Sequence, residues 1–190
     1  MNRTSLDYLI IRSHRKSISL QVKDGQPILR APRWMSDQDI LAFAAKHEQW
    51  VRRQIEKIRA AQAELASVPR LSEDDLRDLI RRAKTVIPER VAYYAPLAGV
   101  TYGRIAIRCQ RTLWGSCSVK GNLSFNCLLL LAPPETLDSV VVHELCHRKV
   151  PNHSAAFYAE VLRVLPDYWE RHRWLREHGR ELQAMAAHGD

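Results

Sequence analysis

The sequence predicts an α+β fold: an N-terminal β-hairpin lobe, two helices, a small sheet, a further helix and a C-terminal helical pair. Three observations predict it. Short strand-like apolar runs lie near both residue 10 and residue 105. Long stretches with apolar residues three and four apart follow them, two opened by a serine cap. The 190 residues, 46% apolar and 26% charged, suffice for a packed core and lack the bias of a disordered chain.

The elements follow in order. Tyr8-Leu9-Ile10-Ile11 and Ile18-Ser19-Leu20-Gln21-Val22 read as strands, the second alternating with period two. Asp24-Gly25 supplies the positive φ angles of a tight hairpin turn, and Ile28 to Ala31 returns as a third strand before Pro32. Ser36, with Asp39 three residues on, caps a helix that keeps its spacing through Ile40, Phe43, Val51 and Ile58 to about Ala66. Val68-Pro69-Arg70 reads as a linker. Ser72 with Asp75 opens the next helix, which Pro88 should kink or split because proline has no N–H for the ladder. Residues 104–109 and 122–131 read as strands separated by a Gly115/Gly121 loop, and Pro133-Pro134 ends the second. Pro134 suits the first turn of the helix that follows. The tail from Ser154 to His178 is helical, broken at Pro166 and closed by Gly179. No internal repeat interrupts this order, so residues 1–190 read as one domain, with a lobe at 1–70 and a core at 71–190.

Composition narrows the classes. No apolar run approaches the roughly 20 residues of a membrane span, and the first residues lack the apolar stretch of a signal peptide. A cytoplasmic setting is expected. Cys109, Cys117, Cys127 and Cys146 form no C-x-x-C pair, so they are expected to be reduced packing residues. The charge of +8 is uneven: residues 1–70 hold 13 Lys/Arg against 7 Asp/Glu. That basic lobe suits an anionic partner such as a nucleotide or nucleic acid, or is simply a solvated surface.

The chemistry is concentrated in Val140-Val141-Val142-His143-Glu144-Leu145-Cys146-His147. Residues four apart share a helix face, so His143 and His147 can both turn imidazole nitrogens toward one ion. Glu144 then lies beside that ion, placed to act as a general base on water. Chance alone yields H-E-x-x-H in roughly 2% of shuffled chains of this composition, so the motif needs support. It has some: the preceding valines anchor it in a core element, and His153 lies six residues beyond His147. Pro151 disfavours helix at Val150, so the helix should end near Lys149 and turn back through Asn152. His153 is the expected third ligand; Glu160 and Glu170 are its rivals. Cys146 points off the ligand face and reads as packing, and His172 and His178 read as structural or exposed.

These residues belong to a wider pattern. Trp114-Gly115-Ser116-Cys117-Ser118, Gly121 to Asn126, Leu130-Leu131-Ala132-Pro133, the His143–His147 motif and Asn152-His153-Ser154 together resemble the YgjP-like metal-dependent hydrolases, relatives of the SprT-like zincin peptidases. The resemblance covers nearly the whole chain. It implies a zincin-like domain, one catalytic Zn2+ held by His143, His147 and His153, and Glu144 as general base. It also implies hydrolysis of a peptide substrate. Cys127-Leu128 and Arg148-Lys149-Val150-Pro151 depart from the family's usual residues, so the cleft lining is expected to differ while the ligands do not.

Three points stay open at this level. The Trp114-to-Ser118 segment, with Asn122 to Asn126, either offers a strand edge to an extended peptide or serves as a core cap through Trp114. Arg111 stabilises an oxyanion or phosphate, or is a surface residue. The alternative activities are a nucleoside-triphosphate pyrophosphatase, which would need a Lys/Arg cluster at the metal, and a basic nucleic-acid-binding module with a closed, four-ligand structural zinc.

Overall fold

In the computed structural model, residues 6–110 and 112–186 are described, and they fall into two compact units, the chain passing from one to the other between Ser67 and Val68. The first unit holds strands β1 (Leu9–Ser13), β2 (Ser19–Lys23) and β3 (Gln26–Pro32) and helices α1 (Asp37–Lys46) and α2 (Glu48–Ala66). The second holds α3 (Glu73–Ala98), β4 (Ile105–Arg108), β5 (Gly115–Cys117), β6 (Leu123–Asn126), α4 (Pro134–Cys146), α5 (Ala155–Val164) and α6 (Tyr168–Met185). The α+β class is as expected.

In the first unit β2 and β3 form the expected hairpin. Lys23 faces Gln26, and Asp24 and Gly25 between them have φ of 53° and 81°. Two successive positive φ angles match the right-handed twist of the flanking strands, which is why Asp-Gly works there. β1 adds parallel to the other side of β3, giving the order β1-β3-β2. Leu29, Ala31, Ile40 and Ala44 form the small core of this unit. Ser36 caps α1 as expected, its hydroxyl accepting from the Asp39 N–H. The single long helix expected after it is two helices, because His47 leaves helical geometry (φ −108°, ψ 6°) and serves as the C-cap of α1. Its ring nitrogen Nδ1 lies 2.8 Å from the Phe43 carbonyl, holding the break.

The second unit opens with the expected capping box, Ser72 and Asp75 exchanging bonds at the start of α3. Pro88 does not split this helix, which runs unbroken for 26 residues. Proline forfeits one ladder bond, and burial of Ile87, Val91 and Tyr94 on the core side outweighs that loss. The sheet repeats the order of the first unit: β4-β6-β5, with β4 parallel and β5 antiparallel to β6. Two expectations fail here. Gly115 to Cys117 is a strand rather than loop, and the strand expected to reach Leu131 stops at Asn126. From Cys127 to Leu131 the chain is a 3-10 helix. Asn126 makes the turn: its side-chain oxygen accepts from the Leu128 N–H, while its Nδ2 donates to Gln110 and Leu113 carbonyls. An apolar run buried all round carries no period to distinguish strand from helix.

α4 begins at Pro134, as its fixed φ favours. Leu137, Val140, Val141, Val142 and Leu145 bury it against α3, α6 and the 3-10 segment. Asp138 ties three helices together. Its carboxylate accepts from Arg90 Nε and Nη2 at 2.7 Å each and from the Tyr94 hydroxyl at 3.0 Å, with Arg171 Nη1 at 3.7 Å. Asp138→Ala leaves these donors facing a buried gap, although the half-exposed Arg90 recovers some hydration. A loss of about 2–3 kcal/mol is expected, read as a fall in Tm.

The tail helix does not end at Gly179; α6 continues to Met185. The glycine is there for space. A Cβ on it would come 3.0 Å from Cζ2 of Trp114, so the indole rests directly on the α6 backbone. None of the described helices is long and apolar enough to cross a membrane. Cys127 and Cys146 are buried as expected and Cys117 is half-buried, but Cys109 is exposed; all four are free thiols. Arg111 lies outside the described residues.

Candidate active site

α4 presents His143 and His147 on one face, their ring centroids 4.9 Å apart. The helix ends slightly sooner than expected, at Cys146, with His147 as its C-cap. A turn follows in which the N–H groups of Arg148 and Lys149 donate to the carbonyls of Leu145 and Cys146. It returns His153 to the same place, its centroid 4.9 Å from His143 and 4.8 Å from His147. One ligand atom from each of the three histidines lies within 4.8 Å of the others. No fourth His, Cys, Asp or Glu among the described residues joins them. Glu160 is engaged elsewhere, with Lys149 at 3.1 Å and Arg163 at 3.0 Å, and Glu170 is exposed.

The surroundings orient the rings. His147 Nδ1 lies 3.2 Å from the Val150 carbonyl, which only accepts, so Nδ1 carries the proton and Nε2 keeps its lone pair. His143 Nδ1 lies 2.9 Å from the Tyr168 hydroxyl, and its Nε2 faces the centre of the cluster. Phe157, fully buried, packs against all three imidazoles at centroid distances of 4.8, 4.5 and 5.0 Å. Such hydrogen bonds from the far ring nitrogen are how metal-binding histidines are held.

The donor set fits a tetrahedral divalent ion with one position left open. Two nitrogens each about 2.0–2.1 Å from zinc stand roughly 3.3 Å apart. The Nε2 atoms of His143 and His153 are 2.9 Å apart, so a small outward rotation of one ring admits the ion.

Glu144 is buried beside this cluster, and β5 makes room for it. A Cβ at Gly115 would lie 2.7 Å from Glu144 Cγ and Oε1. The pair lines one wall of a cleft of about 590 Å³ that also contains the three histidines, Leu113, the segment Ser116 to Val119, and Arg148. β5 is the edge strand of its sheet, so its outer backbone groups face away from β6. Trp114 packs on the core and against Gly179, and also lines a side recess of about 170 Å³ next to His143 and Glu144. His172 is half-buried there, its ring stacked 5.1 Å from Tyr168 and 6.3 Å from His143. Spacing gives no hint of Tyr168 or His172, which approach only because α6 packs on α4. His178 lies instead beside Trp174, on the outer part of α6.

Burial, then the neighbouring His147, His153 and His172, push His143 down to about 3, and burial lowers His147 as well. Burial raises Glu144 to about 8. In the metal-free chain this carboxyl therefore stays protonated in the fold across a range where the unfolded chain ionises it. Its stabilising effect is complete below about 4.5 and is lost as pH rises through about 8. Glu144→Gln removes that dependence. With chelator present, the variant should match wild type near pH 5 and exceed it near pH 8.5 by roughly 2–4 kcal/mol in denaturant unfolding. A difference that does not change with pH contradicts this.

Residues 16–76 and 67–178 match the family model described as YgjP-like, metallopeptidase domain. Among solved structures, the metallopeptidase zymogen abylysin of Pyrococcus abyssi is similar, at 22% identity and a TM-score of 0.45, covering 50% of this chain and 97% of its own. No curated protein matches the chain.

Proposed function

The chain belongs to the YgjP-like family of metallopeptidase domains, and from that premise we propose that it is a zinc-dependent peptidase with Glu144 as its general base. Membership makes it a metal-dependent hydrolase. The observation that carries the finer reading is the convergence of His143, His147 and His153 on one point with a buried carboxylate beside them.

In this reading the three Nε2 lone pairs hold the ion, and the Val150 carbonyl and Tyr168 hydroxyl keep the rings of His147 and His143 in place. Zinc, when bound, acidifies water toward a pKa of about 7 and polarises a carbonyl oxygen. Glu144 takes the proton from the attacking water on a carboxylate oxygen and delivers it to the departing amine nitrogen. Gly115 keeps the space in which that carboxylate sits. The outer edge of β5 pairs with an extended peptide, placing one of its carbonyls above the histidines.

The alternatives fare less well. A nucleoside-triphosphate hydrolase needs several cations at the metal, and Arg148 is the one Lys or Arg among the described residues lining the cleft. A structural zinc needs a closed ligand set, and three residues are assembled here. The family match points to peptide substrates and gives no support to a nucleic-acid partner for the basic lobe.

The test is cleavage of a mixed peptide pool followed by mass spectrometry, before chelation, after it, and after zinc is restored. Cleavage that disappears with chelation and returns with zinc supports the reading. Cleavage indifferent to chelator, or none with zinc bound, refutes it.

A further inference from the structure

Arg148 follows the ligand His147 directly and opens onto the same cleft. An arginine with no role on a surface is free to move; this one is held at three points. Its Nε donates to the Thr101 carbonyl at 3.0 Å, and its Nη1 donates to the Val119 carbonyl at 3.2 Å. Gly121, at φ +80°, lies so close that a Cβ there would meet the guanidinium carbon at 2.7 Å. The turn between β5 and β6 is thus shaped around this side chain.

Its charge is not spent on a carboxylate of the described residues. Among the described residues no carboxylate pairs with Arg148, whereas its neighbour Lys149 is paired with Glu160. Two of the five guanidinium donors are used on backbone carbonyls, and Nη2 has no protein acceptor among the described residues. A fixed, planar, partly unspent fork on the wall of a substrate cleft is suited to an oxyanion, a carboxylate or a phosphate. The peptide chemistry proposed above supplies carboxylates from two sources, acidic side chains and the chain terminus.

We infer that Arg148 is a specificity residue that receives a substrate carboxylate in the cleft beside the three histidines. This rests on the peptidase reading for the identity of the ligand, and the test separates the two. Binding is measured with the zinc-loaded Glu144→Gln chain, so no turnover is required. The probes are fluorescein-labelled alanine octapeptides carrying one Glu, or one Gln, at each internal position in turn. Each is made with a free and with an amidated C-terminus.

At one position, or with the free terminus, the carboxylate peptide should bind about tenfold tighter than its neutral counterpart. The advantage should shrink in high salt. Preference for Glu at an internal position identifies a side-chain carboxylate; preference for the free terminus identifies a terminal one. Adding Arg148→Gln should abolish the advantage, so that charged and neutral peptides bind alike. Because that variant also loses two backbone contacts, its Tm and zinc content are measured alongside. The Glu-against-Gln comparison needs no Arg148 variant, so misfolding does not protect the inference. Equal affinity for charged and neutral peptides overturns it, as does a carboxylate preference that survives in folded Arg148→Gln. Carboxylate-selective binding by a wild-type chain that cleaves nothing upholds Arg148 and removes the peptidase reading.

Discussion

Glu144→Gln is expected to retain zinc and to lose peptide hydrolysis by about 10²–10⁴-fold, the range expected when a positioned general base is removed. The substitution keeps the size and hydrogen-bonding shape of the side chain, so the packing against Gly115 survives. It removes only the ability to take and return a proton. The loss should therefore fall on kcat, with KM changed little, because in the proposed reading the peptide is held by the β5 edge and the cleft rather than by this carboxylate. Equal activity of the variant and wild type would show that the base is another group.

Gly115→Ala gives the second large effect, and it isolates position from chemistry. The backbone at Gly115 does not have positive φ, so alanine is acceptable to the main chain. The cost is entirely the collision of the new Cβ with Glu144, whose Cγ and Oε1 would be 2.7 Å away and whose Cδ would be 2.9 Å away. Real Cβ contacts are wider than this, so the carboxylate is displaced from its place beside the histidines. A displacement of the order of 1 Å in a catalytic group costs roughly 10²-fold. The expected result is a fall of about that size in kcat/KM with zinc content unchanged. In the Glu144→Gln background the same substitution should have little further effect on rate, because the group it displaces no longer acts. Additive losses would mean that Gly115 matters for another reason, such as peptide pairing at the strand edge.

Much of the fold was legible because local chemistry sufficed. The serine caps of α1 and α3, the Asp-Gly hairpin and Pro134 at the start of α4 are each decided by residues within a few positions. The pairing of His143 with His147 is likewise a matter of helical spacing, and Pro151 signalled the turn that returns His153. What stayed hidden depends on partners remote in sequence. Gly179 looked like a helix end because nothing nearby shows that Trp114 lies across it. The apolar stretch from Cys127 to Leu131 is buried all round, so it had no pattern from which to read a 3-10 turn. His47 keeps the helical spacing of its neighbours while breaking the helix, so periodicity ran straight through it. Tyr168 supports His143 across 25 residues of sequence, and the role of Gly115 becomes visible only when Glu144 is seen against it.

Zinc per chain, measured by mass spectrometry of the elements in wild type and His153→Ala, bears most directly on the three-histidine centre. Wild type should hold about one zinc, and the variant should lose most of it under the same dialysis, since two imidazoles and water make a much weaker set. Full zinc retention in His153→Ala, or no zinc in wild type after it is supplied, contradicts the assignment.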